Sequence, residues 1–190
     1  MRLKIGNSLL EITQGDIVQQ HVDAIVNAAN SALAGGTGVN GAIHSAGGPE
    51  IMAETSRRYP NGCPSGSAVA SGGGRLPVKF VFHAVGPVWQ GGTKGERATL
   101  KGTYESCMWL ALEHECASIA FPAISTGVYG YPMDLAAEDA LAATTEFLRR
   151  YQRPALVRFV LFSAGATAAF ERVLEELSSP HAAREDEAMN

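Results

Sequence analysis

One stretch decides how this chain folds: VNAANSALAGGTGVNGAIH, residues 26–44. It continues the apolar run Ala24-Ile25-Val26, which is typical of a buried strand. A cluster of glycines follows, and a short helix is predicted to begin near Val39. Glycine-rich backbone can direct several N–H groups into one concavity, and a helix N-terminus adds about half a positive charge. The stretch therefore predicts a strand, a loop and a helix start that together suit a phosphate group.

A second loop repeats this pattern further along the chain. The short apolar run at residues 118–121 predicts a strand, and it leads into PAISTGVYGYP, residues 122–132. Small hydroxyl side chains and glycines again lie after a strand and before a helix. Ligands of α/β sheets bind at the carboxyl ends of strands, where two loops can face each other. We therefore expect the two loops to close on one diphosphate from two sides.

The rest of the chain alternates predicted strands with predicted helices. In order, these are a hairpin at 3–13, a strand at 24–26, helices at 39–46 and 49–59, strands at 68–71 and 78–85, a helix at 96–115, a strand at 118–121, a helix at 134–150, a strand at 156–162 and a helix at 166–177. The alternation predicts an α/β layered domain with a mixed sheet. We expect one domain at residues 1–177 and a disordered C-terminal tail at 178–190, where the apolar periodicity is lost.

The composition disfavours several classes of protein. Of the 190 residues, 46% are hydrophobic and 18% are charged, which is typical of a globular protein and not of a disordered one. The net charge of −4 and the lack of a Lys/Arg run disfavour broad binding to a nucleic-acid backbone. No apolar run approaches the roughly 20 residues that span a bilayer, and the N-terminus lacks a signal pattern. We expect a cytoplasmic, monomeric protein that does not bind membranes.

Two other kinds of site fit the sequence less well. Cys63, Cys107 and Cys116 are scattered, and no C-x-x-C or H-x-x-x-H pair exists, so neither a disulfide framework nor a metal site is expected. The letters GTGVNG at residues 36–41 match the dinucleotide pattern G-x-G-x-x-G. In that fold the glycines follow the strand directly, whereas here residues 28–35 intervene. We expect no cofactor and no metal.

The polar residues near the loops each admit two interpretations. Asp16 follows the first hairpin and is typical of a turn or cap residue. Asn27 and Asn30, just beyond the strand, either bond to loop backbone or contact ribose hydroxyls. Asn40 and His44 lie four residues apart on one helix face, so His44 could simply be a hydrogen-bonded partner of Asn40.

Together these motifs resemble the macro domain family, in its MacroD-type branch. The resemblance rests on GDI at 15–17, VDAIVNAAN at 22–30, the glycine loop ending in GAIH at 41–44, FHAVGP at 82–87 and the loop at 121–132. These motifs come in the family's order, and the match covers residues 3–177, nearly the whole chain. The resemblance implies a three-layer α/β/α domain, with a mixed central sheet, that binds ADP-ribose.

The resemblance also implies which residues contact the ligand. Asp16 would accept a hydrogen bond from the adenine amino group beside the Ile17 backbone, and Phe162 would stack on the adenine ring, although the strand pattern alone predicts Phe162 in the core. Tyr129 would pack against the distal ribose, although an aromatic in a glycine loop can equally be a lid or a packing residue. The other implied ligand-binding residues are Gly36, Thr37, Gly38, Val39, Ser125, Thr126, Gly127 and Val128 around the diphosphate, and Asn30 and Asn40 towards the distal ribose.

Domains of this branch remove mono-ADP-ribose from acidic protein side chains and deacetylate O-acetyl-ADP-ribose. Both reactions are hydrolyses at the distal ribose and need a water held and activated close to the ester. The resemblance places Asn30, Asn40 and His44 at this reaction centre. The implied partners are ADP-ribose, O-acetyl-ADP-ribose and mono-ADP-ribosylated proteins, with nucleic acid only if it is itself ADP-ribosylated.

The sequence departs from the family pattern at this centre. The branch usually carries an aspartate where Asn40 stands and a glycine where Thr37 stands. An amide cannot take a proton from water, so residue 40 is excluded as a general base, and such a loss typically costs about 10²–10⁴-fold in rate. Two functions remain open. One is a slow hydrolase in which a diphosphate oxygen of the ligand activates the water and Asn30 positions it; the other is a module that binds ADP-ribose without turnover.

Overall fold

The computed structural model describes residues 1–178. Its strands are β1 (Arg2–Ile5), β2 (Ser8–Gln14), β3 (Ala24–Ala28), β4 (Ser67–Gly72), β5 (Phe80–Val85), β6 (Ser118–Phe121) and β7 (Leu156–Leu161). Its helices are α1 (Gly38–Gly47), α2 (Pro49–Arg58), α3 (Glu96–Glu113), α4 (Met133–Tyr151) and α5 (Ala164–Ser178), and a short 3-10 helix covers Ile17–Gln19. Apart from Ser178, which ends α5, the tail predicted at 178–190 lies outside the described residues.

The seven strands form one mixed sheet in the order β1-β2-β7-β6-β3-β5-β4. The five central strands, β2, β7, β6, β3 and β5, run parallel to one another. The two edge strands are antiparallel: β1 pairs with β2 as the predicted hairpin, and β4 pairs with β5. The predicted mixed α/β sheet is confirmed.

Successive side chains of each central strand point to opposite faces of the sheet, so the core has two parts. Val26 and Phe82 belong to the larger cluster, which α3, α4 and α5 cover. Ile25 and Val81 point the other way, into a smaller cluster with Ile43 and other residues beneath α1 and α2. Both faces of a mostly parallel sheet are therefore covered, which is the three-layer α/β/α arrangement that the resemblance implies.

The parallel pairing brings several loops to one edge of the sheet. Because β2, β7, β6, β3 and β5 run in the same direction, the loops that leave their carboxyl ends lie side by side. The glycine loop before α1 leaves β3, and the loop at 122–132 leaves β6. The glycine loop and the loop at 122–132 therefore lie at the same edge of the sheet.

One core assignment from the strand pattern is wrong. The apolar run predicted that the last strand extends to Phe162 and buries it, but β7 ends at Leu161. Phe162 lies in the turn before α5 with 82% of its surface exposed. The turn reverses the chain at the carboxyl edge of the sheet, so this ring is presented to solvent instead of to the core.

Among residues 1–178, no helix has the length and apolar character needed to cross a membrane.

Candidate functional site

A cavity of about 720 Å³ lies at the carboxyl edge of the sheet, and its size is that of small-molecule binding pockets. Most of the site residues predicted from the sequence line it: Asp16, Ile17, Asn30, Gly36, Thr37, Gly38, Val39, Asn40, Ser125, Thr126, Gly127, Val128, Tyr129 and Phe162. Two predicted site residues, Asn27 and His44, do not line it. The structure thus brings together residues that are up to 146 positions apart, counted from Asp16 to Phe162.

The N-terminus of α1 opens into this cavity without a side-chain cap. Thr37 is the N-cap residue, in extended backbone, and its hydroxyl makes no capping hydrogen bond. The first amides of a helix have no intrahelical acceptor, so the N–H groups at the start of α1 are available to an anion. Gly38 has φ +58°, which disfavours any residue with a side chain. The loop and helix end therefore form a concavity whose free N–H groups suit an anion.

The helix also packs closely against its own loop. A Cβ built on Gly41 would lie 2.5 Å from the carbonyl oxygen of Gly36. Gly41 is therefore required by a close backbone approach, and the position of the glycine loop depends on it.

The loop after β6 lines the cavity with a strained and unpartnered serine. Ser125 has φ +68°, a left-handed conformation that is uncommon for a residue with a side chain. Its Oγ is buried, and within residues 1–178 it has no hydrogen-bond partner. The Tyr131 N–H donates to the Ser125 carbonyl at 3.0 Å and the Gly130 N–H to that of Gly127 at 2.9 Å, so the loop is held as a compact turn. The Ser125 side chain would have to rotate about χ1 for this hydroxyl to donate to a ligand oxygen in the cavity.

Aromatic packing holds the far side of this loop. The backbone N–H of Trp89 donates to the Tyr129 carbonyl at 2.9 Å. The Trp89 ring packs on Tyr131 with centroids 4.6 Å apart. The Tyr131 hydroxyl donates to the buried carboxylate of Asp139 at 2.7 Å. Tyr129 is therefore positioned through its backbone while its side chain lines the cavity.

Asp16 and Phe162 lie together because the two backbone segments that carry them are hydrogen-bonded to each other. The Gly15 N–H donates to the Leu161 carbonyl at 2.9 Å, and the next residue on each side lines the cavity. Asp16 also caps the 3-10 helix, because its Oδ1 accepts a hydrogen bond from the Val18 N–H at 3.1 Å. The cap role read from the sequence therefore uses one carboxylate oxygen and does not exclude a ligand at the other.

Asn30 and Asn40 both hold the loop between them. The Asn30 side chain bonds to both backbone groups of Ala34, donating to its carbonyl at 3.0 Å and accepting from its N–H at 3.1 Å. Asn40 Nδ2 donates to the same carbonyl at 3.0 Å. Asn40 Oδ1 accepts from Asn27 Nδ2 at 2.8 Å. Asn40 is only 6% exposed, so its amide clamps the loop at the cavity wall.

The expectation that Asn27 contacts a ribose is corrected by its position. Asn27 is fully buried beneath α1, on the same face of β3 as Ile25, and does not reach the cavity. Its two amide hydrogens point to Asn40 Oδ1 and to His83 Nδ1, the latter at 3.2 Å. The other ring nitrogen of His83 lies 2.8 Å from Ser71 Oγ. Asn27 therefore belongs to a buried polar chain that supports Asn40.

His44 also differs from its expected arrangement. Within residues 1–178 it makes no hydrogen bond to Asn40, whose amide bonds instead to Asn27 and Ala34. Its ring stacks on His83 with centroids 6.0 Å apart. Its Nδ1 is buried and has no partner within the described part of the chain, and burial lowers the pKa of His44. The His44 imidazole of α1 and the His83 imidazole of β5 therefore lie side by side.

Acidification should destabilise the fold through His83. Burial, with a smaller contribution from His44, lowers the pKa of His83 to about 4. Because an unfolded histidine binds its proton near pH 6.5, the unfolded chain holds more protons between about pH 6.5 and pH 4, and stability is lost as the pH falls through this window. We expect the free energy of unfolding to fall by up to about 1.4 kcal/mol per pH unit from this group.

Urea unfolding at pH 7.0, 6.0 and 5.0 measures this dependence, because most carboxylates titrate lower, near pH 4. The His83→Gln variant should be less stable at pH 7 and should show a shallower slope than the parent chain. Equal slopes for the two proteins would assign the pH dependence to other groups, of which His44 is the nearest.

Some residues that line the cavity carry only a weak signal, or none, in the sequence. Gly86, directly after β5, has no room for a side chain, because its Cβ would overlap the Ser125 hydroxyl. Its signal was present in the FHAVGP motif as a glycine at a strand end. Met133 and Ala166 reach the cavity from the first turns of α4 and α5, and only the packing of those helices reveals this.

No group of three or more His, Cys, Asp or Glu side chains in residues 1–178 is arranged to hold a metal ion. The three cysteines are buried and form no disulfide.

Comparison with known proteins agrees with this geometry. The sequence model of the family described as "Macro domain" matches residues 26–140. The protein of Citrobacter rodentium (strain ICC168) named O-acetyl-ADP-ribose deacetylase is 48% identical over 172 residues, which cover 90% of this chain and 97% of that protein. A mutant of the Oceanobacillus iheyensis macrodomain, solved with ADPR, has a TM-score of 0.89 at 38% identity and covers 93% of this chain and 97% of its own. The Trypanosoma brucei macrodomain in complex with ADP-ribose has a TM-score of 0.81 at 36% identity, covering 87% and 68%.

Proposed function

This chain belongs to the macro domain family, and we propose that it binds ADP-ribose in the cavity at the carboxyl edge of its sheet and hydrolyses esters at the distal ribose. The proposed substrates are O-acetyl-ADP-ribose and proteins that carry mono-ADP-ribose on acidic side chains. The relatives named as deacetylases and the solved structures with ADP-ribose support the proposal.

The observation that carries the binding proposal is the pairing of two donor groups across one cavity. The uncapped N-terminus of α1 and the loop with Ser125, whose hydroxyl has no partner among residues 1–178, both line this cavity. Both favour an anion, because backbone amides and a hydroxyl can donate to diphosphate oxygens. Asp16 and Phe162 line the same cavity and suit a purine, as hydrogen-bond acceptor and stacking surface.

The proposed hydrolysis uses no carboxylate base and no metal ion. Asn40 cannot accept a proton from water, and its amide is already bonded at both ends. A water beside the distal ribose would instead give its proton to a diphosphate oxygen of the ligand. Asn30 would hold this water with the amide hydrogen and the lone pair that its bonds to Ala34 leave free. The water oxygen attacks the ester carbonyl, and the ribose hydroxyl leaves with a proton.

A second function, binding without turnover, is favoured by the same Asn40. Its amide closes the cavity wall and supplies no base, which is what a reader of ADP-ribose requires. Two experiments separate the possibilities. Calorimetry with ADP-ribose tests binding, and failure to bind at micromolar to millimolar ligand would remove both functions. Incubation with O-acetyl-ADP-ribose, and with a protein carrying mono-ADP-ribose on glutamate, tests turnover, and release no faster than in buffer would leave only the reader.

Asp16→Ala should weaken ADP-ribose binding by about 1–3 kcal/mol, which is the range for a lost hydrogen bond to a charged group. The Val18 N–H would also lose its cap, so thermal unfolding should be measured beside calorimetry. Glu113→Ala removes the same charge from an exposed position on α3 and should bind normally. Unchanged affinity of Asp16→Ala would exclude this carboxylate from adenine recognition.

A further inference from the structure

A row of charged side chains crosses three neighbouring strands behind the adenine end of the cavity. The register places Arg2 opposite Glu11, and Glu11 opposite Arg158. Arg2 Nε lies 2.6 Å from one carboxylate oxygen of Glu11, and Arg158 Nε lies 2.7 Å from the other. Burial opposes the charge of this carboxylate, but the bonds from Arg158 and Arg2 outweigh it and lower the pKa of Glu11. The Arg158 guanidinium is therefore held firmly in place.

Gln20 connects this row to Asp16. Arg158 Nη1 donates to Gln20 Oε1 at 3.2 Å, and Gln20 Nε2 donates to the Asp16 carbonyl at 3.0 Å. Because the guanidinium can only donate, the amide must turn its oxygen to Arg158 and its nitrogen to Asp16. Neither Gln20 nor Arg158 lines the adenine cavity. Both residues therefore hold the Asp16 turn from outside the cavity.

The turn that carries Asp16 is consequently held by three hydrogen bonds, which fall on two Asp16 atoms. The Asp16 carbonyl accepts from Gln20 Nε2 and, at 3.2 Å, from the Gln19 N–H. The Asp16 Oδ1 accepts from the Val18 N–H. With the backbone carbonyl and one carboxylate oxygen held, the direction of the second carboxylate oxygen is largely set. A fixed acceptor discriminates between ligands that have and lack a matching donor more strongly than a mobile one does.

We propose that Gln20 and Arg158 are positioning residues that orient the Asp16 carboxylate and so determine selectivity for a purine that bears an amino group. This inference rests on the proposed binding of ADP-ribose in the cavity. A purely structural role would lower stability and weaken all ligands alike. A positioning role instead reduces the preference for a ligand with the amino group over one without it.

The test compares ADP-ribose with its analogue in which unsubstituted purine replaces adenine, so that only the amino group is lost. For the parent chain we expect calorimetry to give a preference of about tenfold or more for ADP-ribose, the value of one hydrogen bond to a charged group. Gln20→Met keeps the volume and removes both hydrogen bonds, and it should reduce the preference about threefold or more. Its affinity for the analogue should stay within about twofold of the parent.

Two further variants make the result specific. Arg158→Lys keeps the charge beside Glu11 but has one amine and no planar fork, so it should also reduce the preference. Arg172→Met breaks an exposed ion pair with Asp134 and should leave the preference unchanged. In the Asp16→Ala background, Gln20→Met should have no further effect on the preference, because the oriented group is gone.

The inference is overturned if Gln20→Met keeps the parent preference, or if it weakens ADP-ribose and the purine analogue by the same factor. A parent chain that binds both ligands equally overturns it as well, while leaving diphosphate binding intact. A parent chain that binds neither ligand overturns the proposed function itself. The three failures are therefore distinguishable.

Discussion

Gly41→Ala should lower the affinity for ADP-ribose by about 5- to 150-fold, the range that corresponds to the 1–3 kcal/mol that overpacking typically costs. The new Cβ would lie 2.5 Å from the Gly36 carbonyl oxygen, which is closer than unbonded atoms approach. A backbone group cannot rotate away as the end of a side chain can, so the glycine loop or α1 must shift. The N–H groups at the start of α1 would then lose their alignment with the diphosphate.

Gly102→Ala is the matched control for this variant. Gly102 also lies within a helix, α3, but its Cβ would meet a backbone oxygen no closer than 3.6 Å, an ordinary contact. Replacing glycine by alanine within a helix normally adds about 1 kcal/mol of stability, so Gly102→Ala should bind normally and unfold at a slightly higher temperature. If Gly41→Ala binds as tightly as Gly102→Ala, the close approach of helix and loop does not determine the phosphate site.

Asn40→Asp should raise turnover at least several-fold, with a ceiling of about 10²–10⁴-fold for a well-placed general base. The structure adds a condition to this expectation. Asn40 Nδ2 now donates to the Ala34 carbonyl, and a carboxylate oxygen in its place would face that carbonyl without a hydrogen. This repulsion and the burial of the position both raise the pKa of the introduced carboxyl group, while the Asn27 amide opposes the rise.

The gain from Asn40→Asp should therefore increase with pH. At low pH the introduced carboxyl group is protonated, can donate to the Ala34 carbonyl as the amide does, and supplies no base. As it ionises, the bond to Ala34 breaks and the carboxylate can reach the water. Initial rates of O-acetyl-ADP-ribose hydrolysis between pH 5 and 8 measure this gain. Asn40→Ala is the control, since it breaks the same loop contact and adds no base.

If Asn40→Asp and Asn40→Ala have the same rate at every pH, then loosening the loop, and not a base, explains any change. An unchanged rate for Asn40→Asp at pH 8 would support water activation that does not involve residue 40. Either result bears on how the substrate is hydrolysed and leaves the binding proposal untouched.

Short-range pattern was sufficient to predict the elements of the fold. The spacing of apolar residues distinguishes strands from helices, and Pro49 and the glycines at element ends mark where elements begin or end. The predicted elements therefore lie within a few residues of the observed ones. The exposure of Phe162 could not be predicted in this way, because an apolar residue after an apolar strand gives the same pattern whether the strand continues or the chain turns. Its exposure depends on where the chain reverses, and that depends on α5 packing back on the sheet.

The buried position of Asn27 could have been predicted from the sequence. Alternation along β3 places Asn27 on the same face as Ile25, and this is the face that α1 covers. A residue there is buried, so its amide nitrogen must find acceptors in the protein, as it does in Asn40 and His83. Strand period, together with the position of α1 over this face, therefore argues against a ribose contact.

The sequence by itself determined the strand, glycine loop and helix start at residues 26–44, the α/β class and the family, because these depend on residues close together in the chain. Only the tertiary structure decided which atoms of those residues are free to act. Asn40 is bonded at both ends, the Ser125 hydroxyl has no partner within residues 1–178, and Glu11 meets Arg158 across 147 positions. The physical reason is that side-chain partners are set by the register of parallel strands and by the helices that cover them, and neither is contained in local pattern.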